Sequence, residues 1–262
     1  MMLLKLAAAP AVVWLASQAG RRWGHRVAGL IGGFPLIAAP IVLFIALDAS
    51  AGFGAELAWV TMTVAPGVAA HCFVYAWLAR LGLPWPVCLG IAWAACVGIA
   101  WVLSAHVLRG FPGFALALGQ GLILAFLMPR PRTAATLTPI PGSEIVVRMA
   151  SALALAALVM FGAQTFGTRV SGVLLGFPIT ASVLPVFTLA LHGPDAAIRL
   201  LSGFAVGLLG FTTYFFAFAS LVVPFGPGLA FAGGAAACVA AVGAVLQWQR
   251  WRAAGEGARG AA

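Results

Sequence analysis

The chain is predicted to be an all-α polytopic membrane protein of about nine transmembrane helices, built as two inverted four-helix repeats joined by one extra helix. Three observations predict this. Hydrophobic residues make up 63% of the sequence and charged residues 7%, and the mean hydropathy is +1.10, where a soluble domain carries roughly 25% charged residues. Apolar runs of about 20 residues recur, the length that crosses a hydrocarbon core, whereas a membrane barrel would alternate polar and apolar positions. Finally, Arg26 to Pro35 (RVAGLIGGFP) and Arg169 to Pro178 (RVSGVLLGFP) agree at six of ten positions across an offset of 143 residues, and such self-similarity marks a doubled unit.

The apolar runs, bounded by Gly, Pro or charge, fall near residues 3–20, 27–48, 55–80, 85–104, 110–128, 145–166, 170–191, 196–222 and 228–249. The N-terminus, with Lys5, an apolar stretch and Ser17-Gln18-Ala19, resembles a secretory signal peptide. Its counterpart at 145–166 lies inside the chain, so residues 3–20 are expected to be a structural helix. The second and seventh runs carry the Gly-Phe-Pro triplets. The third and eighth are linked by Gly67 and Gly210, and the fourth and ninth by Ala95-Cys96-Val97 and Ala237-Cys238-Val239. The fifth run has no counterpart. Residues 129–144 (PRPRTAATLTPIPGSE) cannot continue a helix. The expected units are a first repeat at 1–104, a connecting helix and Pro-rich cytoplasmic linker at 105–144, a second repeat at 145–250 and a cytoplasmic tail at 251–262.

An odd helix between two copies makes the second enter the bilayer from the opposite face. Nine crossings put Arg21, Arg22, Arg26, Arg80, Arg130, Arg132, Arg148, Arg199, Arg250, Arg252 and Arg259 on one side, leaving Lys5, Arg109 and Arg169 on the other. Cytoplasmic loops collect Lys and Arg, so the N-terminus is expected outside and the C-terminus in the cytoplasm of a bacterial inner membrane. The net charge of +9 is therefore read as topology, and without basic stretches interleaved with exposed aromatics no nucleic-acid partner is expected.

Candidate site residues follow from what a bilayer penalises. Pro35 and Pro178 lack amide hydrogens and clash with the carbonyls of Ile31 and Leu174, so both helices are expected to kink or break, helped by Gly33 and Gly176. Freed backbone groups in a membrane are tolerated where they are buried in protein or line a wet cavity. This nominates Gly33, Phe34, Pro35, Gly176, Phe177 and Pro178 as substrate-binding. His71 is the only ionisable residue well inside a predicted run, Tyr75 lies one turn away, and Tyr214 is its equivalent in the second copy. Helix rise puts Phe34 and His71 about 10 and 13 Å from the cytoplasmic surface, and Phe177 and Tyr214 about 10 and 12 Å from the outer one. Two symmetry-related half-sites are the expectation, with Thr180 and Thr213 added in the second.

Asp48, Glu56, Glu144, Asp195 and Glu256 lie in or beside loops, which disfavours an exchanger built on a membrane carboxylate. Cys72, Cys88, Cys96 and Cys238 stand singly in apolar runs and read as packing residues. No metal and no cofactor is expected. The sequence holds no HExxH, no GxSxG with a plausible base, no paired membrane aspartates and no phosphate loop, so it is read as a non-enzyme.

The run RVSGVLLGFPIT at 169–180, followed by Gly210 to Tyr214, resembles the small inner-membrane GlpM family, whose members look like one four-helix copy with a basic loop, a Gly-Leu segment, Phe-Pro and a later aromatic-rich helix. This chain departs from that pattern as a fused duplicate with His71 in place of Tyr in its first copy. The resemblance implies an effect on membrane glycerol-3-phosphate metabolism and no particular reaction. The doubled plan is also similar in architecture to the drug/metabolite transporter superfamily. The leading expectation is a permease or exporter of an unidentified small solute, working by alternating access between inverted repeats. The alternative is a non-transporting accessory protein supporting a membrane enzyme, with a membrane protein partner docked on Gly203, Gly207 and Gly210.

Overall fold

The computed structural model describes residues 2–134, 141–165 and 177–260. Gly176, Arg169 and most of the linker's centre lie outside the described residues. All the described elements are helices: α1 (Met2–Trp23), α2 (His25–Gly32), α3 (Ala38–Asp48), α4 (Ala51–Arg80), α5 (Trp85–Ser104), α6 (Gly110–Leu127), α7 (Gly142–Thr165), α8 (Ile179–His192) and α9 (Pro194–Gly260). Three are long and apolar enough to cross a membrane, namely α4, α5 and the stretch Pro194–Trp251 of α9. The protein is thus helical throughout its described part and carries the marks of a membrane protein.

Each apolar run of the sequence holds helix. The second is divided into α2 and α3 by a turn at residues 33–37, and α8 occupies the latter part of the seventh. The eighth and ninth are the two parts of α9, separated at Gly226 with φ of 81°. Gly82, at the equivalent turn between α4 and α5, has φ of 80°. Both turns use a left-handed backbone that favours glycine.

Proline alone does not break these helices. Pro66 sits in the middle of α4 and Pro185 within α8, each inside an uninterrupted helix. The interruption at 33–37 needs the flexible Gly32-Gly33 pair ahead of Pro35.

The charged residues sort to two ends of the bundle. At one end Arg80 meets Asp195 at 3.5 Å, Asp195 accepts from the amides of Arg132 and Thr133 at 3.0 and 2.7 Å, and Arg199 donates to the Thr133 carbonyl. Burial opposes the Asp195 charge, but the Thr133 and Arg132 hydrogen bonds and the nearby Arg80 hold the carboxyl below its usual range. Arg26 also reaches Gln249 at 2.7 Å. At the far end Arg109 pairs with Glu56 at 2.8 Å. The sixth helix, α6, starts beside Glu56 and ends where Trp77 Nε1 donates to the Leu127 carbonyl at 3.1 Å, so it runs alongside α4 from one end to the other.

Helix packing repeats between the copies. A methyl group added at Gly67 would lie 2.7 Å from the Cys96 carbonyl oxygen and 3.4 Å from Ala100. One added at Gly210 would lie 2.8 Å from the Cys238 sulfur and 2.7 Å from Val242. The partners are themselves equivalent in the repeat, so the third and fourth helices of each copy pack at the same register.

A different glycine contact joins the copies. On α2 and α9, a Cβ at Gly29 would fall 1.8 Å from the Leu200 carbonyl oxygen, one at Gly203 1.9 Å from that of Arg26, and one at Gly207 2.8 Å from the Gly33 Cα. Four-residue glycine spacing on each helix lets main chain touch main chain. Gly203, Gly207 and Gly210 are therefore consumed by packing inside this molecule.

Candidate functional site

The break at residues 33–37 and the start of α8 at Pro178 open onto one cavity of about 100 Å³, while the expected break against Leu174 lies outside the described residues. Gly33, Phe34 and Pro35 from the first copy line it with Phe177, Pro178 and Thr180 from the second. Phe204, Phe211 and Thr61 contribute from α9 and α4. Described residues of the two expected half-sites thus line one shared space.

The two prolines accept equivalent backbone hydrogen bonds. The Ala39 amide donates to the Pro35 carbonyl at 2.8 Å, and the Ser182 amide donates to that of Pro178 at 2.8 Å. The helices that restart there, α3 and α8, have no side-chain cap on their first turns. Their opening residues, Ile37 and Ala38 in one and Ile179 and Thr180 in the other, line the same cavity.

The second break carries an additional clasp. Ser182 Oγ donates to the Pro178 carbonyl and receives the indole N–H of Trp93, both at 2.8 Å, while the Trp93 and Phe177 rings lie 5.4 Å apart. Ser182 has Ala39 as its first-copy equivalent, so no such clasp forms there. Sequence reading passed over Trp93. Its signal was a tryptophan placed in the middle of an apolar run, where the indole N–H requires a partner.

His71 stands behind the cavity wall and not on it. It is fully buried, and its Nε2 donates to the Ala181 carbonyl at 3.0 Å, fixing the first turn of α8 next to Thr180. Tyr75 is buried one turn further on among Cys72, Ala76 and Cys88, with its ring 6.2 Å from that of His71. Tyr214 is buried with its ring 5.1 Å from that of Phe215, 6.0 Å from Phe218 and 6.1 Å from Phe231, and it does not line the cavity. Thr213 Oγ1 donates to the Leu209 carbonyl within its own helix at 2.8 Å. Gly176 lies outside the described residues.

Sequence reading also missed a buried polar group near the basic end. Arg148, counted as a topological marker, is 1% exposed and forms an ion pair with Glu144 one turn earlier. The guanidinium lies 5.7 Å from the centre of the Phe187 ring, and His192 Nε2 is 3.3 Å from the same Glu144 carboxylate. His25 packs its ring 5.1 Å from that of His192. Arg148 is thus a second fully buried ionisable side chain, at the start of its run. An i, i+4 pair satisfies both charges locally, so burial leaves neither uncompensated. Among the described residues no group of His, Cys, Asp or Glu is arranged to hold a metal ion.

Comparison with protein-family models, with curated proteins and with solved structures returns no match.

Proposed function

We propose that the protein is a carrier of a small solute in a bacterial inner membrane, working by alternating access between two inverted repeats. The observation that carries this reading is one cavity lined by Gly33, Phe34 and Pro35 of the first copy and by Phe177 and Pro178 of the second. Discontinuous helices meeting at a repeat interface are the setting in which carriers bind solute. The sorting of Arg80, Arg132, Arg199 and Arg26 to one end and Arg109 to the other supports nine crossings with that basic end in the cytoplasm. The course of α6 supports the odd helix on which inversion depends.

The test uses single cysteines in a cysteine-free background. Leu108 and Thr138 are expected to react with an impermeant thiol reagent from opposite faces. A cysteine at Phe34 is expected to react from both faces in turn, at rates that shift when one face is locked by crosslinking. Labelling of Phe34 from one face only, under every condition, would remove alternating access. The accessory-protein reading, which the GlpM resemblance favours, called on Gly203, Gly207 and Gly210 as an outward docking stripe. Their engagement with Arg26, Gly33, Cys238 and Val242 takes away that support.

A further inference from the structure

We infer that the cavity takes a compact organic monoanion, a carboxylate on an apolar body. The inference rests on the carrier reading for its biological sense, and on the cavity alone for its chemistry. Two helices begin at the cavity wall, α3 with 11 residues and α8 with 14. Neither has its first turn capped by a side chain, so amide donors there are left for another partner. Each helix N-terminus acts as about half a positive charge, and two together match about one negative charge.

A separate observation points to a ligand. Thr180 is 6% exposed and lines the cavity, yet its hydroxyl makes no hydrogen bond among the described residues. Threonines elsewhere in the bundle donate back along their own helix, Thr61 to Leu57 at 2.8 Å and Thr212 to Leu208 at 3.0 Å. Thr180 stands in the first turn of α8, where its hydroxyl can join the neighbouring amides around one acceptor group.

The remainder of the wall selects the body of the ligand. Phe34, Phe177, Phe204 and Phe211 surround the space, and no lysine or arginine lines it. Charge compensation by helix ends alone suits one carboxylate and leaves a second charge unmatched. A cavity of about 100 Å³ is smaller than the apolar cavities of ~150 Å³ that accept a benzene ring, so the body of the ligand is a short aliphatic group.

The test is equilibrium binding to the purified full-length protein at pH 7.5 with three probes of similar shape: isobutyrate, isobutyramide and isobutylamine. Isobutyrate is expected to bind at least tenfold more tightly than either of the others. Thr180→Val is expected to weaken isobutyrate about fivefold while leaving the melting temperature unchanged, and Thr180→Ser is expected to restore binding. Equal binding of the three probes, no binding of isobutyrate, or a Thr180→Val protein that binds isobutyrate normally would each overturn the inference. Failure here with two-sided labelling of a Phe34 cysteine intact leaves the carrier reading standing. Isobutyrate binding with one-sided labelling would sink the carrier reading and leave the anion site.

Discussion

At equivalent places in the two copies stand His71 beside Ala92 and Tyr214 against Gly234. A Cβ built on Gly234 would lie 2.9 Å from the Tyr214 ring, so the larger ring is housed by removing a methyl group from the facing helix. Ring and wall have changed together while the register around Gly67 and Gly210 has stayed the same. Hydrogen bonding has not followed. The His71 ring reaches across to the Ala181 carbonyl, whereas the Tyr214 hydroxyl is buried with no partner among the described residues. The breaks diverge in the same sense, because Pro178 is clasped by Ser182 and Trp93 while Pro35 faces Ala39. Packing volume is what this doubling preserved, and polar wiring is what it allowed to differ.

The comparison can be broken most severely at the seam between the copies. Gly203→Leu would drive a side chain into the Arg26 backbone and is expected to abolish the folded protein, seen as loss of the monodisperse peak on size exclusion. Gly98→Ala, where nothing lies within 4 Å, is expected to leave that peak in place.

Next in size is the buried ion pair, which belongs to the second copy, since the position equivalent to Arg148 is Lys5. Arg148→Met leaves Glu144 buried without its cation and is expected to cost about 3–5 kcal/mol. Adding Glu144→Gln is expected to recover much of that loss in a thermal melt.

The exchange of rings sharpens the comparison further. Gly234→Ala overpacks Tyr214 and is expected to cost about 1–3 kcal/mol. Combining it with Tyr214→His, which rebuilds the first-copy pair, is expected to restore stability, and an additive loss would show that the two sites are not equivalent.

Removing one polar atom from each ring gives a smaller, unequal effect. His71→Phe strands the Ala181 carbonyl at about 1–2 kcal/mol, while Tyr214→Phe is expected to fall within about 0.5 kcal/mol of the parent.

A last difference lies in acid. Burial, reinforced by His192, Arg148 and Arg199, lowers the His25 value from 6.5 to about 4. Below pH 6.5 the unfolded chain takes up a proton that the folded protein refuses until about pH 4, so stability falls as pH drops through that window. The melting temperature is expected to be lower at pH 5 than at pH 7.5, and His25→Gln is expected to narrow the difference.

Much of this fold is written in short-range features. The nine apolar runs needed only hydropathy, and the interruption at Pro35 needed only local backbone sterics. The cavity required more. Depth counted along each helix treated Phe34 and Phe177 as points, whereas in the fold their side chains line one space. The clasp of Trp93 on Ser182 spans 89 residues of sequence, and no periodicity encodes it. Arg148 misled because a basic residue near a helix end looks the same whether it faces water or Glu144. The stripe of Gly203 and Gly207 was visible as spacing, while its partner was not, since Gly29 and Gly33 answer it from another part of the chain.

That stripe has a mechanical consequence. Where backbone lies on backbone there is no rotamer to flex, so α2 and the first part of α9 behave as one rigid beam. Any rearrangement of the bundle must then be taken up at its joints, the turn at 33–37 and the corner at Gly226 with φ of 81°. The beam carries the first-copy Gly33 at one of those joints and Phe204 on the cavity wall. Bending at residues 33–37 therefore swings α3 against a fixed floor and resizes the cavity from one side.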